Sequence, residues 1–236
     1  MRFALGIDFG TESGRVMLVR ADTGEEVAWS LVPYPSGVID RRLPTGEALK
    51  PDTALQDPRD YLTVLEQGVP EVLRRSGVAA ADVAGVGIDF TSCTILPATA
   101  DGTPLATLPR FAANPHAWVK LWKHHAAQPQ ANRINEVAAR RGEEFLTVYG
   151  GKYSSEWFFS KVLETLEEAP EVYAAAERFI EGADWIVWQM TGVERRNECA
   201  AGYKGMWIKG RGFPSPAFFR ELDPRRFPDL APLRDR

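Results

Sequence analysis

The segment Asp8-Phe9-Gly10-Thr11-Glu12-Ser13-Gly14-Arg15 constrains the fold of this chain more than any other. An apolar run, Phe3-Ala4-Leu5-Gly6-Ile7, leads into it, and another, Val16-Met17-Leu18-Val19, leads out. Short apolar runs bounded by turn residues read as buried strands. The segment is therefore strand, tight glycine turn, strand. A carboxylate at a strand end can hold a hydrated cation. Gly10 and Gly14 let backbone N–H groups approach a phosphate, and Thr11 and Ser13 add hydroxyl donors. The turn reads as a site for a metal-bound nucleotide phosphate or, more plainly, as a polar hairpin with a capping aspartate. It is not a Walker loop, because no Gly-Lys-Ser/Thr follows. It is not a dinucleotide fingerprint, because a strand and not a helix comes next.

The turn Ala21-Asp22-Thr23-Gly24 then introduces a third strand over 25–32. Residues 33–56 are rich in Pro, Gly and charge and read as a long excursion, a kind of loop that is often functional. Asp57-Pro58 opens a helix. Its stripe of Tyr61, Leu62, Leu65, Val69, Val72 and Leu73 runs to Gly77, with a kink expected at Pro70. A fourth strand covers 83–90, and 94–96 pairs with 104–105 around Asp101-Gly102. Helices are expected from Asn114-Pro115 to 127, from Pro129 to Gly142, and from Ser154 or Ser155 to 168. Others are expected from Pro170, from Asp184 to Gly192, and over 217–222. The order β-β-β-α-β predicts an α/β fold of the ribonuclease-H-like, actin-like ATPase type, with a mixed sheet and a helix-rich insertion. Open sheets of this kind bind ligands at the carboxyl ends of strands. Asp8 and Asp89 both fall there, and Gly6-Ile7-Asp8-Phe9 is echoed by Gly87-Ile88-Asp89-Phe90.

The 236 residues suffice for one large domain or two small ones. A hydrophobic share of 44% and a charged share of 25% are ordinary for a globular protein. The net charge of -4 offers no basic surface to a nucleic acid. An anionic ligand must be held by local donors. No apolar stretch approaches a membrane span. Met1-Arg2-Phe3 leads directly into the first strand, so no secretory signal is expected. Cys93 and Cys199 form no framework and have no metal spacing, which fits a reducing cytoplasm. Cys93 has no catalytic partner by spacing and reads as a small buried residue. His124 and His125 point apart on the expected helix and, with His116, exhaust the histidines, so a histidine zinc centre is not expected.

Five motifs together resemble the first part of the FGGY family of carbohydrate kinases, and within it the L-ribulokinase branch. They are Gly6 to Arg15, Asp89-Phe90-Thr91-Ser92-Cys93-Thr94-Ile95-Leu96-Pro97, Leu121-Trp122-Lys123-His124-His125-Ala126-Ala127, Gly150-Gly151-Lys152-Tyr153-Ser154-Ser155-Glu156-Trp157, and Ala200-Ala201-Gly202-Tyr203-Lys204-Gly205-Met206-Trp207. The resemblance implies ATP-dependent phosphorylation of L-ribulose to L-ribulose 5-phosphate, as in L-arabinose catabolism, with ATP and Mg2+ as cofactors. Asp8 would hold Mg2+ through water, and Gly10, Thr11, Ser13 and Arg15 would surround the transferring phosphoryl group. A surface ion pair is the competing reading of Arg15. Ser92 stands where similar enzymes often carry alanine, so its sugar contact would run through the backbone. Trp122 would wall the sugar, sharing a helix face with Trp118, Leu121 and His125; a core role is the alternative.

Lys204 lies in a loop-like Ala-Ala-Gly-Tyr-Lys-Gly stretch and would point at the ketopentose, where an ammonium stabilises developing negative charge. The alternative is a solvated surface lysine. Lys161 and Glu156 fall on an exposed helical phase and read as structural. The family's general-base aspartate sits in a glycine-rich motif that is missing here. Asp229 and Asp235 lie in a proline-rich tail instead, so the base is expected beyond Arg236. The expectation is thus an incomplete sugar-binding lobe over 1–236, without the second, nucleotide-binding lobe and inactive alone. Sugar and ATP would be its partners, with no nucleic acid or membrane; a homo-oligomer is compatible. Competing readings are another pentulose kinase, of D-xylulose or L-fuculose type, and a non-catalytic actin-like nucleotide-binding module.

Overall fold

The computed structural model describes residues 2–224. Strand β1 (Phe3–Phe9) buries Phe3, Leu5, Ile7 and Phe9 on one face, the period-2 pattern of a half-covered strand. It pairs antiparallel with β2 (Ser13–Arg20), which pairs antiparallel with β3 (Glu26–Pro33). After the excursion and a short β4 (Leu55–Gln56), Asp57 caps α1 (Pro58–Thr63) by accepting the Arg59 N–H at 2.9 Å. One π-helical turn over Val64–Gly68 joins α1 to α2 (Val69–Ser76), which stops at Gly77 in the left-handed conformation, φ 68°. The irregularity expected at Pro70 therefore falls in the turn before it. Proline has no N–H for the preceding turn and its ring crowds that turn's carbonyl, so the turn widens. The helix lies close on the sheet. A Cβ at Gly14 would come within 2.4 Å of Val64 Cγ2, and one at Gly68 within 2.7 Å of Val16 Cγ2. Gly14 thus serves helix packing as well as the turn.

Strand β5 (Val83–Phe90) returns parallel to β1, giving the order β3-β2-β1-β5. Three further strands follow: β6 (Ile95–Ala98), β7 (Val119–Lys120) and, beyond a helical stretch, β8 (Arg178–Glu181). With β4 they form a second, antiparallel sheet of order β4-β7-β6-β8 that the sequence pattern did not suggest. The pairing expected between 94–96 and 104–105 shrinks to one bridge, Ala98 to Pro104, with Gly102 at φ 85° in the turn.

The helix expected over 114–127 does not form. Asn114 caps a single 3-10 turn, Pro115–Ala117, and the chain then extends into β7. Val119 and Lys120 find better partners in β4 and in Ile95 than a local helix would give them. Trp118 is buried against Ile39, Leu43, Leu55 and Ala106. Trp118, Leu121, Trp122 and His125 consequently share no helix face, and the two neighbouring histidines lie in irregular chain between two turns.

The helices that follow are α3 (Gln128–Arg141), closed by Gly142 at φ 69°, α4 (Glu144–Val148), α5 (Phe158–Glu168) and α6 (Pro170–Ala175). After β8 come α7 (Gly182–Thr191), α8 (Glu198–Lys204) and α9 (Pro216–Leu222). Helix α5 starts later than expected, because Ser154 spends its carbonyl and hydroxyl on a turn with Trp157 and Glu156. Asp184 is not a cap; it sits in the first turn of α7 and accepts the Asn197 N–H at 3.0 Å. Asp229 and Asp235 lie outside the described residues. One core joins the first sheet to Tyr61, Val64, Val72 and Trp185; a second gathers Ile134, Phe145, Val162, Leu166, Phe218 and Phe219. Each such side chain contributes about 1.5–3 kcal/mol by leaving water.

Candidate functional site

The carboxyl ends of β1 and β5 lie side by side, with Asp8 opposite Asp89 in the ladder. Beyond Asp8 the chain reverses in a turn closed by Gly10 N–H to the Ser13 carbonyl, 3.0 Å. A Cβ on Gly10 would press to 3.0 Å from that same carbonyl, so the turn requires glycine there. The antiparallel register sets Arg15 across from Asp8, and their side chains meet at 2.9 Å with 63% and 39% of their surfaces exposed. Asp89 turns to the backbone, accepting the Phe90 N–H at 3.0 Å.

Two groups fix this turn from other parts of the chain. Gln56, fully buried at the end of β4, donates to the Thr11 carbonyl at 2.6 Å and is itself held by the Tyr61 hydroxyl. The Trp122 indole N–H donates to the Thr11 hydroxyl at 3.1 Å, and 39% of the residue remains exposed. Nothing in the residues around Gln56 marks it in advance as a support for this turn. Trp122 reaches the turn from a loop and not from the expected helix.

After β5, Thr91 stays bound to the end of β1 through its N–H and the Phe9 carbonyl at 3.2 Å. Ser92 is exposed beside it. Cys93 is buried, and burial, then the Glu181 charge, push its thiol up to about 12, far from a reactive thiolate. Lys204 is not in a loop; it ends α8, and its carbonyl accepts the Tyr153 hydroxyl at 2.7 Å. Its ammonium lies 5.8 Å from the Trp157 ring and 5.0 Å from the Tyr203 ring, and its charge reaches both Cys93 and Glu181. Asp8, Gly10, Thr11, Ser13, Arg15 and Trp122 thus form one connected group. Ser92 adjoins it through the β1–β5 ladder, and Lys204 faces the same post-β5 loop.

Lys161 and Glu156 do not share an exposed helical face. Glu156 lies in the turn before α5, 3.5 Å from His125, while Lys161 is fully buried. The sequence of α5 carries no signal for this: Phe158, Phe159, Val162, Leu163 and Leu166 share one face and leave Lys161 on the polar one, so its burial is set by packing against the rest of the chain.

His116, Glu164 and Glu168 cluster closely enough to suggest a metal centre. Cations already fill that role: Lys120 meets Glu164 at 2.6 Å, and Lys50 meets Glu164 at 2.8 Å and Glu168 at 2.7 Å. A cavity of about 280 Å³ opens elsewhere, beside β8 and α8, with Phe159, Phe179, Glu181, Asp184 and Trp207 in its wall. Among the described residues no helix is long and apolar enough to cross a membrane.

No family model matches the chain. Curated relatives do. The chain is 56% identical over 225 residues to the ribulokinase of Geobacillus thermodenitrificans, covering 95% of this chain and 40% of the relative. It is 52% identical over 225 residues to the ribulokinase of Mycolicibacterium smegmatis, covering 94% and 40%. The chain therefore spans about two-fifths of the length of the curated relatives it matches. Among solved structures, a ligand-bound xylulose kinase from Lactobacillus acidophilus superposes with a TM-score of 0.69 at 16% identity, over 94% of this chain and 40% of that one. The glycerol kinase of Plasmodium falciparum with ADP gives 0.70 at 15% identity, over 99% and 42%. The structures carry the fold and the relatives carry the likeness in sequence: the homologues of this chain are ribulokinases, and its structural neighbours are FGGY-type sugar kinases with the same mixed sheet and helix-rich insertion.

Proposed function

We propose that residues 1–236 form the sugar-binding lobe of a kinase that moves the γ-phosphoryl group of ATP to the terminal hydroxyl of L-ribulose, giving L-ribulose 5-phosphate. The observation that carries this reading is the 3.1 Å hydrogen bond from Trp122 to Thr11. It ties an exposed aromatic face, a common sugar-stacking surface, to a glycine turn suited to phosphate. Phosphoryl transfer depends on positioning and charge neutralisation, and a direct link between acceptor wall and phosphate turn serves both.

The residues take the following roles in this reading. Gly10, Thr11 and Ser13 line the phosphoryl path, and Arg15 offsets its charge. Asp8 suits Mg2+: a hard oxygen donor, engaged by Arg15 at Oδ2 alone and with 39% of its side chain exposed, has room for a hydrated ion. The ion would neutralise phosphate charge. Ser92 borders the sugar through its backbone, Trp122 stacks on it, and Lys204 donates to the ketone or a hydroxyl. The general base and the adenine site belong to a part of the protein outside these residues.

Coupled ADP release from the full-length protein tests this, with L-ribulose, D-xylulose and glycerol as acceptors. The expected kcat/KM for L-ribulose exceeds the others at least tenfold. Equal turnover of glycerol without turnover of L-ribulose rejects the assignment. Residues 1–236 alone should release no ADP above background; robust turnover by them would overturn the division into lobes.

A further inference from the structure

Cys93 sits in the left-handed region with φ 66°, a conformation that a non-glycine residue keeps only where its surroundings impose it. Two buried ionisable side chains grip its backbone. Glu181, 9% exposed at the end of β8, sets its carboxyl against the Cys93 N–H. Lys161, fully buried in the first turn of α5, donates from Nζ to the Cys93 carbonyl at 2.5 Å. The same ammonium donates to the Leu121 carbonyl at 2.8 Å and reaches that of Lys120 at 3.4 Å. Ser92 immediately precedes Cys93, and Trp122 immediately follows Leu121. A single buried charge therefore joins the two segments that carry these residues.

Burying an ammonium is costly, and a methionine would fill the same volume without that cost. What methionine lacks is a group that binds several carbonyls at once in fixed directions. We propose that Lys161 and Glu181 act as a positioning pair: by clamping the Cys93 backbone and tying it to Leu121, they fix Ser92 and Trp122 as one rigid wall of the sugar site. Lys161 touches no substrate and acts through those two segments. The inference rests on the sugar-kinase reading of that wall, but the clamp itself has a readout that needs no substrate. The Cys93 thiol is fully buried in the held loop, and on this proposal releasing the loop exposes it.

The test uses the full-length protein with Lys161→Met, Lys161→Met combined with Cys93→Gly, and Glu181→Gln. Measurements are KM for L-ribulose and for ATP, and the rate of Cys93 alkylation by iodoacetamide, read by peptide mass spectrometry. Lys161→Met should raise the L-ribulose KM at least tenfold, leave the ATP KM within twofold, and speed Cys93 alkylation at least tenfold. Glycine takes φ 66° without strain, so adding Cys93→Gly should recover most of the lost sugar affinity. Unchanged KM and unchanged alkylation in Lys161→Met overturn the proposal. So does a loss shared equally by both substrates that glycine does not repair. If Lys161→Met yields no folded protein, Glu181→Gln decides: at least threefold faster alkylation supports the clamp, and an unchanged rate overturns it. A wild-type enzyme that phosphorylates no ketopentose defeats the functional reading instead, and alkylation alone then judges the clamp.

Discussion

Glu164→Gln should destabilise the protein by an amount that shrinks as pH rises. The Glu164 carboxylate is fully buried on α5; its Oε2 takes two donors, Lys120 at 2.6 Å and the His124 Nε2–H at 2.9 Å, and the Lys50 ammonium lies 2.8 Å from Oε1 as an ion pair. His124 is neutral, because burial lowers its pKa to about 4, and its Nδ1 accepts the Ala54 N–H at 3.3 Å. Burial alone would raise the Glu164 pKa; the Lys120 charge and the His124 hydrogen bond overcome this and hold it well below the usual range. Burial pushes Lys120 the other way, toward its neutral form, and Glu164 opposes that.

Without the carboxylate, Lys120 must stay charged and unpaired or surrender its proton. Surrendering it at pH 7 from an ordinary lysine pKa of about 10.4 costs about 4.6 kcal/mol, at about 1.36 kcal/mol per pH unit. That ceiling agrees with the roughly 3–5 kcal/mol expected for one broken buried pair. The sign follows from proton counting. In the variant the folded Lys120 pKa lies below the unfolded value, so the unfolded state binds more protons and stability rises with pH up to about 10. In the wild type the depressed Glu164 pKa contributes in full above the unfolded value of about 4.3, so its contribution is flat from pH 7 to 9. Burial also holds Lys120 below its ordinary value in the wild type, so these are upper bounds: the gap should fall from at most about 4.6 to at most about 1.9 kcal/mol over that range. At roughly 2–4 °C per kcal/mol, the Tm difference is at most about 9–18 °C at pH 7 and at most about 4–8 °C at pH 9. Thermal melts of both proteins at the two pH values measure it. A gap of equal size at both, or one below about 1 kcal/mol at pH 7, refutes the electrostatic account.

Asp8→Asn should lower kcat roughly a hundredfold or more while moving Tm little, because an exposed ion pair contributes about 1 kcal/mol at most. A melt and a magnesium titration of activity separate the two effects. Trp122→Phe keeps the ring but loses the hydrogen bond to Thr11, a change of about 0.5–1.5 kcal/mol. It should raise the sugar KM about two- to tenfold, which initial-rate kinetics will show. Gly14→Ala would drive a methyl into Val64 and should destabilise by about 1–3 kcal/mol. Val64→Ala in the same chain should recover part of the loss, as a double-mutant cycle on denaturation midpoints can measure.

The first sheet was legible because its determinants are local. Alternating apolar residues fixed β1 and β2, the glycine turn between them allowed only a hairpin, and the repeated Gly-Ile-Asp-Phe put Asp8 and Asp89 in register. The stretch around Trp122 was not legible. Asn114-Pro115 is a sound helix start, yet only one turn forms, since β7 is created by β4 and β6, which lie elsewhere in the sequence. Local signals cannot weigh a distant strand partner. Lys204 was expected in a loop and ends a helix instead, because α8 keeps helical geometry through Ala-Ala-Gly-Tyr-Lys despite its glycine. There the tertiary contact with Tyr153 and Tyr149 outweighs propensity.

The two kinds of residue at the site explain this unevenness. Asp8, Arg15, Ser92 and Trp122 keep exposed surface on turns and strand ends, and their types announce ligand chemistry. Gln56, Cys93, Lys161 and Glu181 are buried, and their chemistry is invisible until burial is known. The first set makes few contacts on which the fold depends; the second holds three separate segments at once. Substitutions should sort accordingly. Changes in the exposed set should alter rate or affinity with little change in melting temperature. Changes in the buried set should move both, and only there should a backbone remedy such as glycine at position 93 restore affinity without replacing the lost side chain.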